Sequence, residues 1–167
     1  MSDRSTKFDE LIPELKAWNN GQGIDVETWI GAVGSYEHAI GYSTIFWPDF
    51  VEYDGCIFLS DGFDVENYRE WLEQYDGNRS RVESMINHRH LAYLFHSQTA
   101  SEAQLMYLSR IMRDMWAAKL DHEFPQHSVI VELYDGYPDM GDWYDVQISL
   151  YQETHDVPPS SSSAQST

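Results

Sequence analysis

The residues able to do chemistry in this chain are its histidines, its carboxylates and one thiol. His88, His90 and His96 form the densest histidine group. On a helix, residues two apart point to nearly opposite sides, so His88 and His90 are not expected to share a metal ion. His90 falls on an apolar stripe with Ile86 and Leu94 and reads as a core or boundary histidine. Asp121-His122-Glu123 lacks the His-Glu-x-x-His spacing that places two imidazoles and a general base around zinc. Asp135, Asp139, Asp142 and Asp145 are oxygen ligands close in sequence. They lack the Asp-x-Asp-x-Asp-Gly pattern and closing Glu of a calcium loop. Neither a metal nor a cofactor is therefore expected.

Glu52 and Asp54 lie beside Tyr53 and near Trp47. Paired carboxylates in an aromatic cleft are the equipment of a small hydrolase, one acting as acid and the other as base. This is one functional expectation. Cys56, the single cysteine, sits in the apolar run Cys56-Ile57-Phe58-Leu59. It cannot close an intramolecular disulfide, and without an electropositive setting it reads as a buried core residue. Neither a Gly-x-Ser-x-Gly elbow nor a phosphate-cradling loop is present, since Gly21-Gln22-Gly23 has no third glycine or Lys-Ser/Thr after it.

Charge points elsewhere. The 167 residues hold 10 Lys and Arg against 28 Asp and Glu, a net of −18. From residue 17 to 68, and again from 120 onward, there is no Lys or Arg at all, against nine acids in each stretch. The intervening residues 69–119 are nearly balanced, at +1. Such a field repels nucleic-acid phosphates and anionic membranes and attracts cationic partners. Two segments set aromatic side chains among acids: Trp47 to Asp54, and Tyr134 to Tyr144. The candidate partner-binding residues are Asp135, Tyr137, Asp139, Asp142 and Trp143 in one segment, with Glu52 and Asp54 in the other. They combine interface-anchoring residue types with steering charge. The leading expectation is a non-catalytic domain that binds a basic protein partner, as an inhibitor, immunity-type or regulatory protein. The alternative is the small hydrolase with its carboxylate site in the Trp47–Asp54 region.

These residues must be positioned by a scaffold, and hydrophobic periodicity describes one. Aromatics at 14% and apolar residues at 42% supply a core. Phe8, Leu11, Ile12, Leu15 and Trp18 predict a helix kinked at Pro13. Asp25 caps a helical stretch bearing Trp29, Ile30, Val33, Tyr36 and Ile40, which ends before Pro48. Gly31, Gly34 and Gly41 within it imply a close backbone approach or a break near Gly34. Asp54-Gly55 predicts a type I′ turn between Phe50–Tyr53 and Cys56–Leu59. Helices follow after Asp64, after the capping-box pattern Ser80-x-x-Glu83, and after a second one, Thr99-x-x-Glu102. The last carries Leu105, Met112, Trp116 and Leu120 on its apolar face. Val129–Tyr134 and Trp143–Tyr151 alternate as strands, with Val131, Tyr144, Val146, Ile148 and Leu150 inward.

The expected fold is α+β, about five helices packed with an antiparallel sheet built from two β-hairpins, as one acidic domain over residues 1–156. The Pro/Ser-rich residues 157–167 are expected to be disordered. With no secretory h-region and no apolar run of membrane-spanning length, the expected setting is cytoplasmic.

Overall fold

A computed structural model describes residues 8–94, 100–134 and 146–153. The expectations for the 157–167 tail, the 135–142 loop, Trp143, Tyr144, His96 and Thr99 lie outside the described residues. Within them the chain is α+β, with five helices of eight residues or more and two antiparallel sheets.

The chain opens with α1 (Phe8–Leu11) and α2 (Glu14–Ala17). Pro13 separates them, since its ring lacks an N–H and cannot continue a helix. A 3-10 turn at Asn19–Gly21 follows, with positive φ at Asn20 and Gly21. Asp25 caps α3 (Val26–Val33), accepting from the Thr28 N–H, and Ser35 caps α4 (Tyr36–Phe46), accepting from the His38 N–H. The break at Gly34 foreseen from the glycines is where the two helices part.

Strands β1 (Phe50–Tyr53) and β2 (Cys56–Leu59) pair antiparallel across Asp54 and Gly55. Both turn residues have positive φ, +53° and +76°, as a type I′ turn requires. Asp64 caps α5 (Val65–Gln74), and Gly77, at φ +79°, closes the chain behind it with an N–H to the Leu72 carbonyl. Then come α6 (Arg79–Ile86), β3 (Arg89–His90), α7 (Leu91–Leu94), α8 (Glu102–Glu123), β4 (Val129–Tyr134) and β5 (Gln147–Gln152).

Three local expectations are corrected. Helix α6 is capped by Asn78, not Ser80, and Glu83 points into the interior rather than back to the cap. Helix α8 starts two residues later than expected. Its capping box is Ser101 with Gln104, each side chain bonded to the other's backbone N–H. The stretch bearing His88 and His90 is not helical, because β3 intervenes and pairs with β5, Arg89 opposite Ile148 and His90 opposite Gln147.

Strand β2 is buried along its whole length and its alternation divides the interior in two. Ile57 and Leu59 face one core with Leu91, Met112, Trp116, Leu120, Val146, Ile148 and Leu150. Cys56 and Phe58 face the other, with Tyr68, Val82 and Ile86. Trp116 is buried as its helical phase predicts, and its Nε1–H donates to the Ile45 carbonyl at 3.0 Å.

Among the described residues, the two sheets do not join by strand pairing. The short β3 covers β5 only at Gln147 and Ile148, so the rest of that edge needs other partners. Helix α6 supplies them. Fully buried Glu83 accepts from the N–H of Ile57 at 2.7 Å, from the N–H of Gln152 at 2.8 Å and from the Gln152 side chain at 2.8 Å. One turn on, buried Asn87 accepts from the Leu59 N–H at 2.9 Å and donates to the carbonyls of Ile57 and Leu150. Two side chains at i and i+4 thus bond the facing edges of β2 and β5 as an intervening strand would.

Glu83→Gln is expected to lower stability by about 2–4 kcal/mol, because a carboxamide turns an N–H₂ toward a backbone donor and leaves buried groups unsatisfied. Urea unfolding measures this, and a loss below about 1 kcal/mol would contradict the role given to the carboxylate.

A second expectation concerns alkaline pH. Burial, and then the nearby Glu83 charge, pushes the Cys56 thiol up from 9 to about 12. Burial and the hydrogen bond to Asp54 raise the Tyr68 phenol. The protonated forms are favoured in the folded chain, so the folded state holds more protons than the unfolded one above pH 9. Stability contributed by these groups is fully present below that pH and is lost as pH rises toward 12. Urea midpoints measured across that window should fall, and fall less steeply in Cys56→Ala.

Candidate functional site

Glu52 and Asp54 are held by different partners. Glu52 Oε1 lies 3.4 Å from His127 Nε2. The Nδ1 of that ring is 2.8 Å from Gln152 Oε1, while the Gln152 amide N–H₂ donates to Glu83 and to the Gly55 carbonyl. The amide orientation makes His127 Nδ1–H the donor to Gln152, and hydrogen bonds run from His127 through Gln152 to buried Glu83. Asp54 Oδ2 instead accepts from the Tyr68 hydroxyl at 2.7 Å and from Arg79 Nη2 at 2.8 Å. Asp135, Tyr137, Asp139, Asp142 and Trp143 lie outside the described residues.

In the extended segment at β3, the rings of His88 and His90 come within 4.6 Å of each other. The helical argument for keeping them apart therefore does not hold, because residues two apart on a strand share a face. Among the described residues, no three or more His, Cys, Asp or Glu side chains are grouped to hold a metal ion. Trp47 is exposed, with Lys119 Nζ 5.7 Å from its ring. Lys119 also pairs with Asp49 at 3.0 Å.

The feature that sequence patterning did not reveal is the surface of α3 and α4. Neither helix contains a buried residue, and residues 30–44 are exposed without interruption. Ile30, Val33, Tyr36 and Ile40, part of the apolar stretch read from the sequence, are exposed, and so is Tyr42; Tyr36 is 88% exposed and Ile40 67%. Among the described residues, the hairpin is anchored at its foot. There, half-buried Trp29 donates through Nε1 to Glu14 at 3.0 Å, and Ile45 and Phe46 pack on the first core. An apolar groove of about 480 Å³ runs along this foot, lined by Ile12, Trp29, Tyr42, Leu105 and Leu108 among others.

Helices of 8 and 11 residues are marginal in water without a packed face. Nor do the mid-helix glycines serve packing within the chain: a Cβ built on Gly31 or Gly41 meets nothing within 4 Å. Of the two explanations that the glycines allow, the break belongs to Gly34, while Gly31 and Gly41 leave the outer surface low. One signal for this arrangement was available in the sequence. In α4 the apolar residues are spread around the helix instead of gathering opposite a charged face.

Among the described residues, no helix is long and apolar enough to cross a membrane. Compared with known protein families, curated proteins and solved structures, the chain matches none.

Since Ile40 is largely exposed, Ile40→Ser should change stability by less than about 0.5 kcal/mol. Gly31→Ala and Gly41→Ala should each raise it by about 1 kcal/mol, the ordinary difference in helix propensity. Thermal unfolding of the three variants checks both. A loss of several degrees for Ile40→Ser would mean that the hairpin is packed within the chain.

Proposed function

We propose that this chain is a non-catalytic protein-binding domain that takes a basic partner on the α3–α4 hairpin. The observation that carries this reading is the unbroken exposure of residues 30–44, with Ile30, Val33, Tyr36 and Ile40 on two short helices that contain no fully buried residue. Contiguous apolar surface of this kind belongs to interfaces, and tyrosines such as Tyr36 and Tyr42 are frequent anchors there. The mid-helix glycines let another backbone come close.

The sign of the charge selects the occupant. The hairpin and its flanks carry Asp25, Glu27, Glu37 and Asp49 and no Lys or Arg. A second copy of the chain would bring the same acids and another −18, whereas a basic protein brings complementary charge and is steered toward the surface. Asp135, Asp139 and Asp142, with Tyr137 and Trp143, belong to this reading as further acidic and aromatic contact groups, and Glu52 and Asp54 add to the field. A cytoplasmic setting, where a single thiol has no disulfide to form, is part of the same proposal.

The test uses the full chain as bait in an extract of its own source cells, beside an Ile30→Asp/Ile40→Asp variant and a Glu66→Gln variant on α5. Support is a basic protein retained by the wild type and by Glu66→Gln but lost by the double variant, with affinity that falls as salt rises. Retention by all three baits overturns the assignment of the surface. A wild-type chain that is dimeric by light scattering and becomes monomeric in the double variant overturns the assignment of the partner.

A further inference from the structure

A second surface, away from the hairpin, carries an independent inference. In the β4–β5 register Glu132 lies opposite Ser149 and Tyr134 opposite Gln147, so these four side chains share one face of the sheet. Helix α6 lies against that face, where the Ser149 hydroxyl donates to the Ser84 carbonyl at 2.6 Å. Between them is a cleft of about 260 Å³. One wall is formed by Arg81 and Ser84, three residues apart on one side of α6, and by His88 just beyond the end of that helix. The sheet wall is Tyr134, Gln147 and Ser149.

Arg81 is the exceptional group. With 28 carboxylates for 10 Lys and Arg, a cation here normally finds an acid. Arg79, Arg89, Arg113, Lys16 and Lys119 each have a carboxylate within 4 Å. Among the described residues, no ion pair engages Arg69, Arg81 or Arg110, and of these three only Arg81 lines one of the clefts described here. Its Cζ is held 4.3 Å from the centre of the Tyr75 ring, which is itself stacked on Trp71 at 5.3 Å. That contact fixes the guanidinium charge without consuming its N–H groups, which remain able to grip a carboxylate or phosphate in a bidentate way.

Other groups lining the cleft are polar. His88 Nε2 lies 2.8 Å from Gln147 Oε1, which sets the imidazole across the cleft. Glu132, an acid on this face, is engaged by the hydroxyls of Tyr134 at 2.7 Å and Tyr151 at 3.0 Å. The volume lies just below the usual range of about 300–1,000 Å³ for drug-sized ligands, which limits the occupant to a smaller molecule.

We propose that this cleft binds the oxyanion group, carboxylate or phosphate, of a small organic molecule, with Arg81 as the anchoring cation and Ser84 and His88 as the polar wall. Amide NMR spectra of the ¹⁵N-labelled full chain test it, titrated at neutral pH with sodium acetate in one arm and sodium phosphate in the other. Sodium chloride holds ionic strength constant. The expected result is saturable shifts confined to the neighbourhood of Arg81, Ser84, His88 and Tyr134 in at least one arm. Arg81→Gln should weaken that binding by about tenfold or more, while Arg69→Gln leaves it unchanged. Saturation by acetate alone assigns a carboxylate, by phosphate alone a phosphate, and by both a general oxyanion seat. Shifts that rise linearly in both arms, that scatter over the chain, or that persist in Arg81→Gln would overturn the proposal.

Discussion

A backbone edge cannot be left bare inside a protein, and the architecture of this chain follows from how two such edges are satisfied. Among the described residues, strands β2 and β5 lie in separate sheets and do not pair with one another. The gap is filled by the carboxylate of Glu83 and the carboxamide of Asn87, which return the hydrogen bonds a strand would have made. Three N–H donors converge on Glu83, and an ionised, acceptor-only carboxylate is the group that satisfies them. Packed hydrophobic residues often match a buried ion pair in stability, but they could not substitute here, because the partners are main-chain groups with nowhere else to turn.

Fixing α6 in this way determines what its other sides can do. Val82 and Ile86 form one stripe, buried in the second core against Phe58 and Tyr68. Ser80 and Ser84 meet β5, the first donating to the Gln152 carbonyl. Arg81 is left over the cleft. Every face of this eight-residue helix is therefore assigned. The α3–α4 hairpin is the opposite case, tied in at Trp29, Ile45 and Phe46 and otherwise outside both cores. It belongs to the low-stability end of the molecule, where local opening costs least.

Much of the fold was legible because its signals are local. Asp25, Asp64 and the Asp54-Gly55 turn act within a few residues of themselves, and Trp116 lies on a long helix whose phase is unambiguous. What could not be read depends on distant partners. Ser80-x-x-Glu83 has the form of a capping box, but the donors that claim Glu83 are 26 and 69 residues away and outrank the local alternative. The overlapping patterns Thr99-x-x-Glu102 and Ser101-x-x-Gln104 are equally good on paper, and the structure places the box on the second. The apolar stripe through Ile30, Val33 and Ile40 is the hardest lesson, since periodicity marks a face that wants covering without saying whether the same chain covers it. Much of the candidate partner-binding segment, Asp135 to Trp143, lies outside the described residues, so the surfaces argued from structure are ones that composition did not single out.

The long reach of Glu83 also has a consequence for synthesis. A ribosome adding about 5–20 residues per second needs several seconds to pass from residue 83 to residue 152. For that interval the carboxylate holds one of its two backbone donors, and the first core lacks Val146, Ile148 and Leu150. The nascent chain meanwhile carries a finished β1–β2 hairpin whose Ile57 and Leu59 have no strand to lie against. This is the physical condition in which holding chaperones act, and it ends only when the last strand arrives.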